Sequence, residues 1–327
     1  AKYLNCSPSE IIFTGSGTEA NNIALLGVAR ANKKKGNHLI TSEIEHSSVL
    51  KTIEHLETHE GFKSTYLKPD KNGIISPKDL EEAITKETIL VSLMYANNEI
   101  GTVQDVGKFG EICQKKKILF HTDACQANGT LSLDTKKLNV DLMTINGSKV
   151  YGPKGIGALF IKKGTTIVPI TFGGVQELGL RSGTMNTANI VGLAKALEIA
   201  EKLKTKENKK LSELRDKLIK KLLEKIRGAK LNGDSVKRLP NNINISIPGI
   251  NGKELLLHLS ERGIYISTGS ACTSTFQKAS HVLMALGLSE EIAESCVRIT
   301  LGRKTTEEDI EQVTKILPEI VNRIRGH

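Results

Sequence analysis

The stretch "TILVSLM", Thr88 to Met94, is apolar without alternation. A strand with one wet face alternates apolar and polar residues; an unbroken run this short reads as a strand covered on both faces. Similar runs lie on either side of it: "IIFTG" from Ile11, "HLITS" from His38, "STYL" from Ser64, "ILFHT" from Ile118, "VDLMTI" from Val140 and "GIGALFI" ending at Ile161. Helical patterns separate them, and helical crossovers between strands imply a mainly parallel sheet with helices on both faces. One helix start is explicit in "SPKD", with Ser76 as cap, Pro77 at the first helical position and Asp79 in the first turn.

Beyond the charged, helical run "TMNTANIVGLAKALEIAEKLKTKENKK" the texture changes. Leu211, Leu214, Leu218, Leu222 and Ile226 recur at helical spacing and predict an amphipathic helix with a solvated lysine face. Strand-like "NINISIP", helical "GKELLLHLSERG", a short helix in "SHVLMALG", strand-like "CVRIT" and a last helix from about Thr306 follow. The expectation is an α/β domain over residues 8–204 and a smaller α+β domain over 205–327.

Composition narrows the function. With 39% apolar and 25% charged residues over 327 positions, the chain is ordinary for a globular protein with a substantial core. It contains no apolar run of membrane-spanning length, and "AKYLNCSPSEIIF" does not read as a signal peptide. Five scattered cysteines without a C-x-x-C pair resemble neither a disulfide framework nor a zinc site, so a reducing, cytoplasmic setting is expected. The net charge of +10 raises nucleic-acid binding, but "NKKKG" and "QKKKI" fall where helices end and offset the helix dipole. Aromatics are only 4% with no Trp, so no base-stacking platform is present.

Ligands of open α/β sheets bind beyond the carboxyl ends of the strands. The segments there are "GSGTEANN", "EIEHSS", "YANNE", "HTDACQ" and "NGSK". "GSGTEANN" leads into a helix whose first amides suit a phosphate, although an ordinary capped turn reads the same way. Asp123 ends one strand, where a carboxylate could pair with a buried cationic nitrogen. Lys149 follows another, where partial desolvation would make its amine a nucleophile. Each has a bland alternative as a strand-end cap or a solvated amine. Together with a phosphate cup they suggest pyridoxal phosphate, with lysine for the covalent link and aspartate for the pyridinium nitrogen. Cys272 lies in "TGSACTS", a setting of small polar residues that favours a reactive thiol over a packed one, although the local sequence leaves both open.

The segments "FTGSGTEANN", "EHSSVL", "ANNEIGTVQD", "HTDACQ", "KVYGPKGIGALF", "GLRSGT", "STGSACTS" and "VRITLGR" resemble, in this order, the class-I cysteine desulfurases of the NifS/IscS type. The resemblance implies the aspartate-aminotransferase fold, pyridoxal phosphate fold type I, with pyridoxal phosphate as cofactor and L-cysteine as substrate. It implies that Lys149 holds the cofactor and moves the substrate's Cα proton, and that Asp123 keeps the pyridine nitrogen protonated. His46 would stack on the ring as a further catalytic residue, with Gln126 and Asn98 on its oxygen side. Gly17, Thr18, Asn146 and Ser148 would line the phosphate, and Thr184 would reach the phosphate of a second copy in a homodimer. Arg298, with Asn98, would take the substrate carboxylate, and Cys272 would receive the sulfur as a persulfide.

The implied partner is a sulfur acceptor, either an iron–sulfur scaffold or a tRNA-thiolation protein. A selenocysteine lyase or a degenerate scaffold on the same fold are the alternatives. Ser148 stands where the family usually has histidine, Asn146 where it has serine, and Val175 and Leu178 where glycine and arginine are common. These departures put cofactor affinity in question. The resemblance also implies further chain ahead of Ala1, including part of the small domain, and an organellar leader there is compatible with it.

Overall fold

The computed structural model describes residues 1–269 and 279–326. It divides into two compact units, one comprising Ala1–Lys68, Ile75–Ala96 and Gln104–Lys204, the other Pro69–Ile74, Asn97–Val103 and Thr205–His327.

The first unit is built on a seven-stranded sheet of β1 (Ile11–Thr14), β2 (His38–Ser42), β3 (Lys63–Leu67), β4 (Thr88–Ser92), β5 (Leu119–Asp123), β6 (Leu142–Asn146) and β7 (Gly157–Ile161), in the order β1-β7-β6-β5-β4-β2-β3. Each of the seven apolar runs became a strand. The neighbours from β3 through β2, β4 and β5 to β6 pair in parallel. Their crossovers carry α2 (Ser47–Glu60), α3 (Pro77–Ala83), α4 (Val106–Lys116) and α5 (Thr135–Leu138), and α1 (Gly17–Asn32) follows β1. Only β7 runs the other way, antiparallel to both β6 and β1. The reason is its connection: residues 147–156 contain only a short 3-10 turn, and a parallel return needs a longer crossover. β2, β4 and β7 are buried along their whole length, whereas the polar β3 forms an edge.

One face is sealed by α1 and α2, whose Ile23, Val28, Ile53 and Leu56 pack against Ile12, Leu39, Leu90, Leu142 and Leu159. Gly27 allows α1 to approach closely, because a Cβ there would lie 2.6 Å from the Val168 carbonyl oxygen. The cap falls where the sequence places it at Ser76, which accepts the Asp79 amide, and Ser16 and Asp105 likewise accept the amide three residues on. The lysine clusters at Lys33 and Lys115 lie at the carboxyl ends of α1 and α4.

The run from Thr187 and the leucine repeat to Ile226 belong to one 39-residue helix, α6 (Thr187–Lys225), and the division between units falls inside it. In the second unit an antiparallel sheet, β10-β9-β8, joins β8 (Lys230–Leu231), β9 (Asn242–Ser246) and β10 (Cys296–Thr300). Leu211, Leu214, Leu218, Leu222 and Ile226 bury their stripe against Ile243, Ile245, Val297 and Ile299 and against α10 (Glu307–Ile324). α7 (Gly252–Ser260), α8 (His281–Ala285) and α9 (Glu290–Glu294) complete it. Residues 97–103 join this unit through backbone bonds from Val103 to Lys237 and from Leu239 to Gly101. No helix among the described residues is long and apolar enough to cross a membrane.

Candidate active site

In the first unit β1, β2, β4, β5 and β6 point the same way, so their carboxyl ends share one edge of the sheet. Asp123 is the last residue of β5 and 6% exposed. One carboxylate oxygen accepts from the Cys125 amide at 3.0 Å, the other from Asn21 Nδ2 at 2.7 Å. Among the described residues no cation forms a salt bridge with it. A carboxylate has about four lone-pair positions, so capacity remains for one more donor. A protonated ring nitrogen is the kind of group that satisfies a buried anion of this sort.

Gly17 and Thr18 open α1 directly after β1. A Cβ on Gly17 would lie 2.7 Å from Cys125 Sγ, so the backbone is drawn against the β5 turn. The first amides of a helix lack intrahelical acceptors and form the positive, anion-binding end of its dipole. Two residues without a role in the sequence analysis are also found there. Glu19 accepts the Gly15 amide at 2.5 Å, and its other oxygen pairs with Arg181 Nε at 2.9 Å. The signal for Arg181 was present in "GLRSGT", but its pairing across 162 positions was not.

β6 ends at Asn146, whose side chain accepts the Ser148 amide at 3.3 Å and caps the turn Gly147–Val150. Ser148 and Lys149 are exposed on that turn. Lys149 is thus exposed rather than partly desolvated, and its charge acts on the thiol of Cys125, two residues beyond Asp123. Gln126 is half-buried in the turn after β5, and Thr184 is exposed ahead of α6.

Beyond β2, Glu45 is fully buried, and burial pushes its carboxyl up to about 8 although it accepts from Ser42 Oγ at 2.6 Å and the Met94 amide at 2.9 Å. The next residue, His46, caps α2 with its ring: Nδ1 accepts the Ser48 amide at 3.1 Å. Behind Asp123, His121 is buried between Ser92 Oγ at 2.8 Å and Thr144 Oγ1 at 3.1 Å, and burial lowers its pKa to about 4.

Asn98 and Arg298 lie in the second unit. Arg298, on β10, donates from Nη1 to the Asn98 carbonyl oxygen at 3.0 Å, and its backbone bridges to Ser267. The two residues expected to share a carboxylate are thus in contact, through the backbone of Asn98. Cys272 lies outside the described residues. The four other cysteines, Cys6, Cys113, Cys125 and Cys296, all have thiol pKa values raised by burial, which keeps them protonated at neutral pH.

Residues 1–313 match the family model "Aminotransferase class-V". Along 99% of its length the chain is 51% identical to "Cysteine desulfurase IscS" of Clostridium botulinum, covering 82% of that protein. It is 49% identical over its full length to the protein of the same name from Methanosarcina thermophila, covering 80% of it. A solved "NIFS-LIKE PROTEIN" superposes with a TM-score of 0.92 at 40% identity, over 99% of this chain and 85% of that one. "SspA in complex with cysteine" superposes with a TM-score of 0.79 at 39% identity, over 92% of this chain and 84% of that one. The chain therefore belongs to the aminotransferase class-V family, among the cysteine desulfurases of the IscS type.

Proposed function

We propose that this protein is an L-cysteine desulfurase that binds pyridoxal phosphate at the carboxyl edge of its large sheet and passes the sulfur of cysteine to Cys272. The similarity to IscS cysteine desulfurases over nearly the whole chain carries the reading. The buried Asp123 carboxylate, held by two donors and without a cationic partner among the described residues, supports the choice of cofactor.

Bound, the cofactor supplies an electron sink for the substrate's α-carbon. Asp123 holds the ring nitrogen in its protonated form. Lys149 anchors the group through its amine and shuttles the proton at Cα. His46, Gln126 and Asn98 orient the ring. The amides of Gly17 and Thr18, with Asn146 and Ser148, hold the phosphate, and Thr184 serves the phosphate of a second copy in a homodimer. The guanidinium of Arg298 orients the substrate carboxylate, a bidentate task that fits its planar fork. The Cys272 thiolate attacks the substrate sulfur. As the new S–S bond forms, the sulfur–Cβ bond breaks, its electron pair stays with the substrate carbon, and that carbon takes up a proton to leave as alanine. The persulfide then passes to an acceptor used for iron–sulfur clusters or tRNA thiolation.

The test is the pairing of two products. Incubation of the full chain with L-cysteine should give alanine together with a persulfide on Cys272, located by alkylation and peptide mapping. Cys272→Ser should bind cysteine yet form no protein persulfide, and Lys149→Ala should lose the lysine-linked cofactor absorbance, while substitution of Lys154 by alanine, at the exposed second lysine of "KVYGPKGIGALF", should retain it. Normal sulfur release by Cys272→Ser under reducing conditions would contradict the assignment.

A further inference from the structure

Four side chains of the first unit form one chain of hydrogen bonds: Asp123, Asn21, Ser48 and His46. Asn21 Nδ2 lies 2.7 Å from Asp123 Oδ2 and 2.9 Å from Ser48 Oγ, and Ser48 Oγ lies 2.7 Å from His46 Nδ1. Asn21, Ser48 and Asp123 are 1%, 8% and 6% exposed, so water does not compete for these bonds.

The donors in this chain can be assigned one by one. An ionised carboxylate only accepts, so Asn21 must present its NH2 to Asp123. That group has two hydrogens; the second goes to Ser48 Oγ, which therefore accepts. Asn21 Oδ1, on the other side of the amide, is buried without a partner. Turning the amide over would set that oxygen against the carboxylate. The Ser48 backbone N–H donates to His46 Nδ1, which fixes Nδ1 as an acceptor. The remaining hydrogen, on Ser48 Oγ, then also points to Nδ1. It follows that the His46 ring carries its proton on Nε2.

We infer that Asn21 and Ser48 are positioning residues: Asn21 holds the Asp123 carboxylate against the ring nitrogen of the cofactor and orients the Ser48 hydroxyl, and Ser48, through its backbone N–H and that hydroxyl, holds His46 in the Nε2–H tautomer. The inference rests on the proposed binding of pyridoxal phosphate. Without Asn21 the carboxylate of Asp123 would be held through Cys125 alone and less firmly fixed about its Cβ–Cγ bond. Its preference for a ring bearing N–H would fall.

The test uses the full chain stripped of cofactor, titrated with pyridoxal phosphate and with the analogue in which CH replaces the ring nitrogen. The wild type should prefer pyridoxal phosphate by roughly tenfold to a hundredfold, the range of a hydrogen bond to a charged group. Asn21→Leu should bring that ratio near unity while leaving affinity for the analogue unchanged. Ser48→Ala, in which Asp123 keeps both donors, should preserve the ratio. If Asn21→Leu fails to fold, Asn21→Ala carries the same expectation.

Equal weakening of both ligands by the Asn21 variants, or an unchanged ratio, would overturn the inference, since a merely structural role moves both alike. A wild type that binds neither ligand would instead overturn the proposed function. The tautomer is read separately in the cofactor-free protein, from the ring-nitrogen NMR shifts of isotope-labelled histidine assigned with His46→Gln. A proton on Nδ1 would overturn the hydrogen-bond chain whatever the cofactor result.

Discussion

At the residue scale, Glu45 shows what burial does to a carboxyl group one position from a candidate catalytic histidine. Two donors stabilise its charged form, yet burial outweighs them and holds the pKa near 8. In the unfolded chain the group ionises near its ordinary 4.5. A carboxyl pKa raised by folding means that Glu45's contribution to stability is full below pH 4.5 and is lost as pH rises through about 8. Glu45→Gln keeps an oxygen for the Ser42 hydroxyl and the Met94 amide but cannot ionise. Relative to the wild type it should gain stability between about pH 5 and pH 8, and the two should converge at lower pH. Urea unfolding across that range checks this; parallel curves would show that the carboxyl is not held neutral. The residue was quoted in "EIEHSS", but its burial follows from its place between β2 and the segment after β4, which sequence spacing does not reveal.

At the scale of the element, α10 contains Pro318 in its buried face. Proline has no N–H, so the Thr314 carbonyl loses its helical donor. Lys225, the last residue of α6, supplies one: its Nζ lies 3.0 Å from that oxygen. A residue that weakens one helix is thus compensated by the end of another. Lys225→Met should destabilise the second unit by about 1 kcal/mol, the net value of a typical hydrogen bond. In a Pro318→Ala background the restored N–H serves Thr314, and the same substitution should cost measurably less. A double-mutant cycle by denaturant unfolding reads the difference; additive effects would mean that Lys225 does not compensate for the proline. The helix itself is legible in the sequence from about Thr306, whose hydroxyl proves to cap it by accepting the Asp309 amide, and so is the amphipathic stripe of α6. The bond between them is not, because 89 positions separate its partners.

At the scale of the whole molecule, the proposed cofactor should act on stability as well as on chemistry. A group that binds only the folded chain stabilises it by about 2.7 kcal/mol at a hundredfold excess over its Kd. Pyridoxal phosphate should therefore raise the thermal midpoint of the cofactor-free protein, and Lys149→Ala should reduce that rise. Differential scanning fluorimetry suffices to measure it, and an unmoved midpoint would speak against a built cofactor site. Ser148, exposed and bonded among the described residues within its own turn to Asn146, gives this test a second arm. Ser148→His, which restores the family's usual residue, should enlarge the rise. The sequence by itself determined the seven strands of the large sheet, because residues covered on both faces must be apolar without a break, and that pattern is local. It also determined the Ser76 cap, the leucine stripe and the order of segments that carries the family resemblance, all of which are properties of neighbours along the chain. Only the tertiary structure decided the reversal of β7, the assignment of residues 69–74 and 97–103 to the second unit, the exposure of Lys149 and the hydrogen bonds that tie Asp123 to Asn21, Ser48 and His46. These depend on which side chains meet across a hundred positions or on how a short connection must run, and burial and hydrogen-bond direction fix them only once the chain is packed.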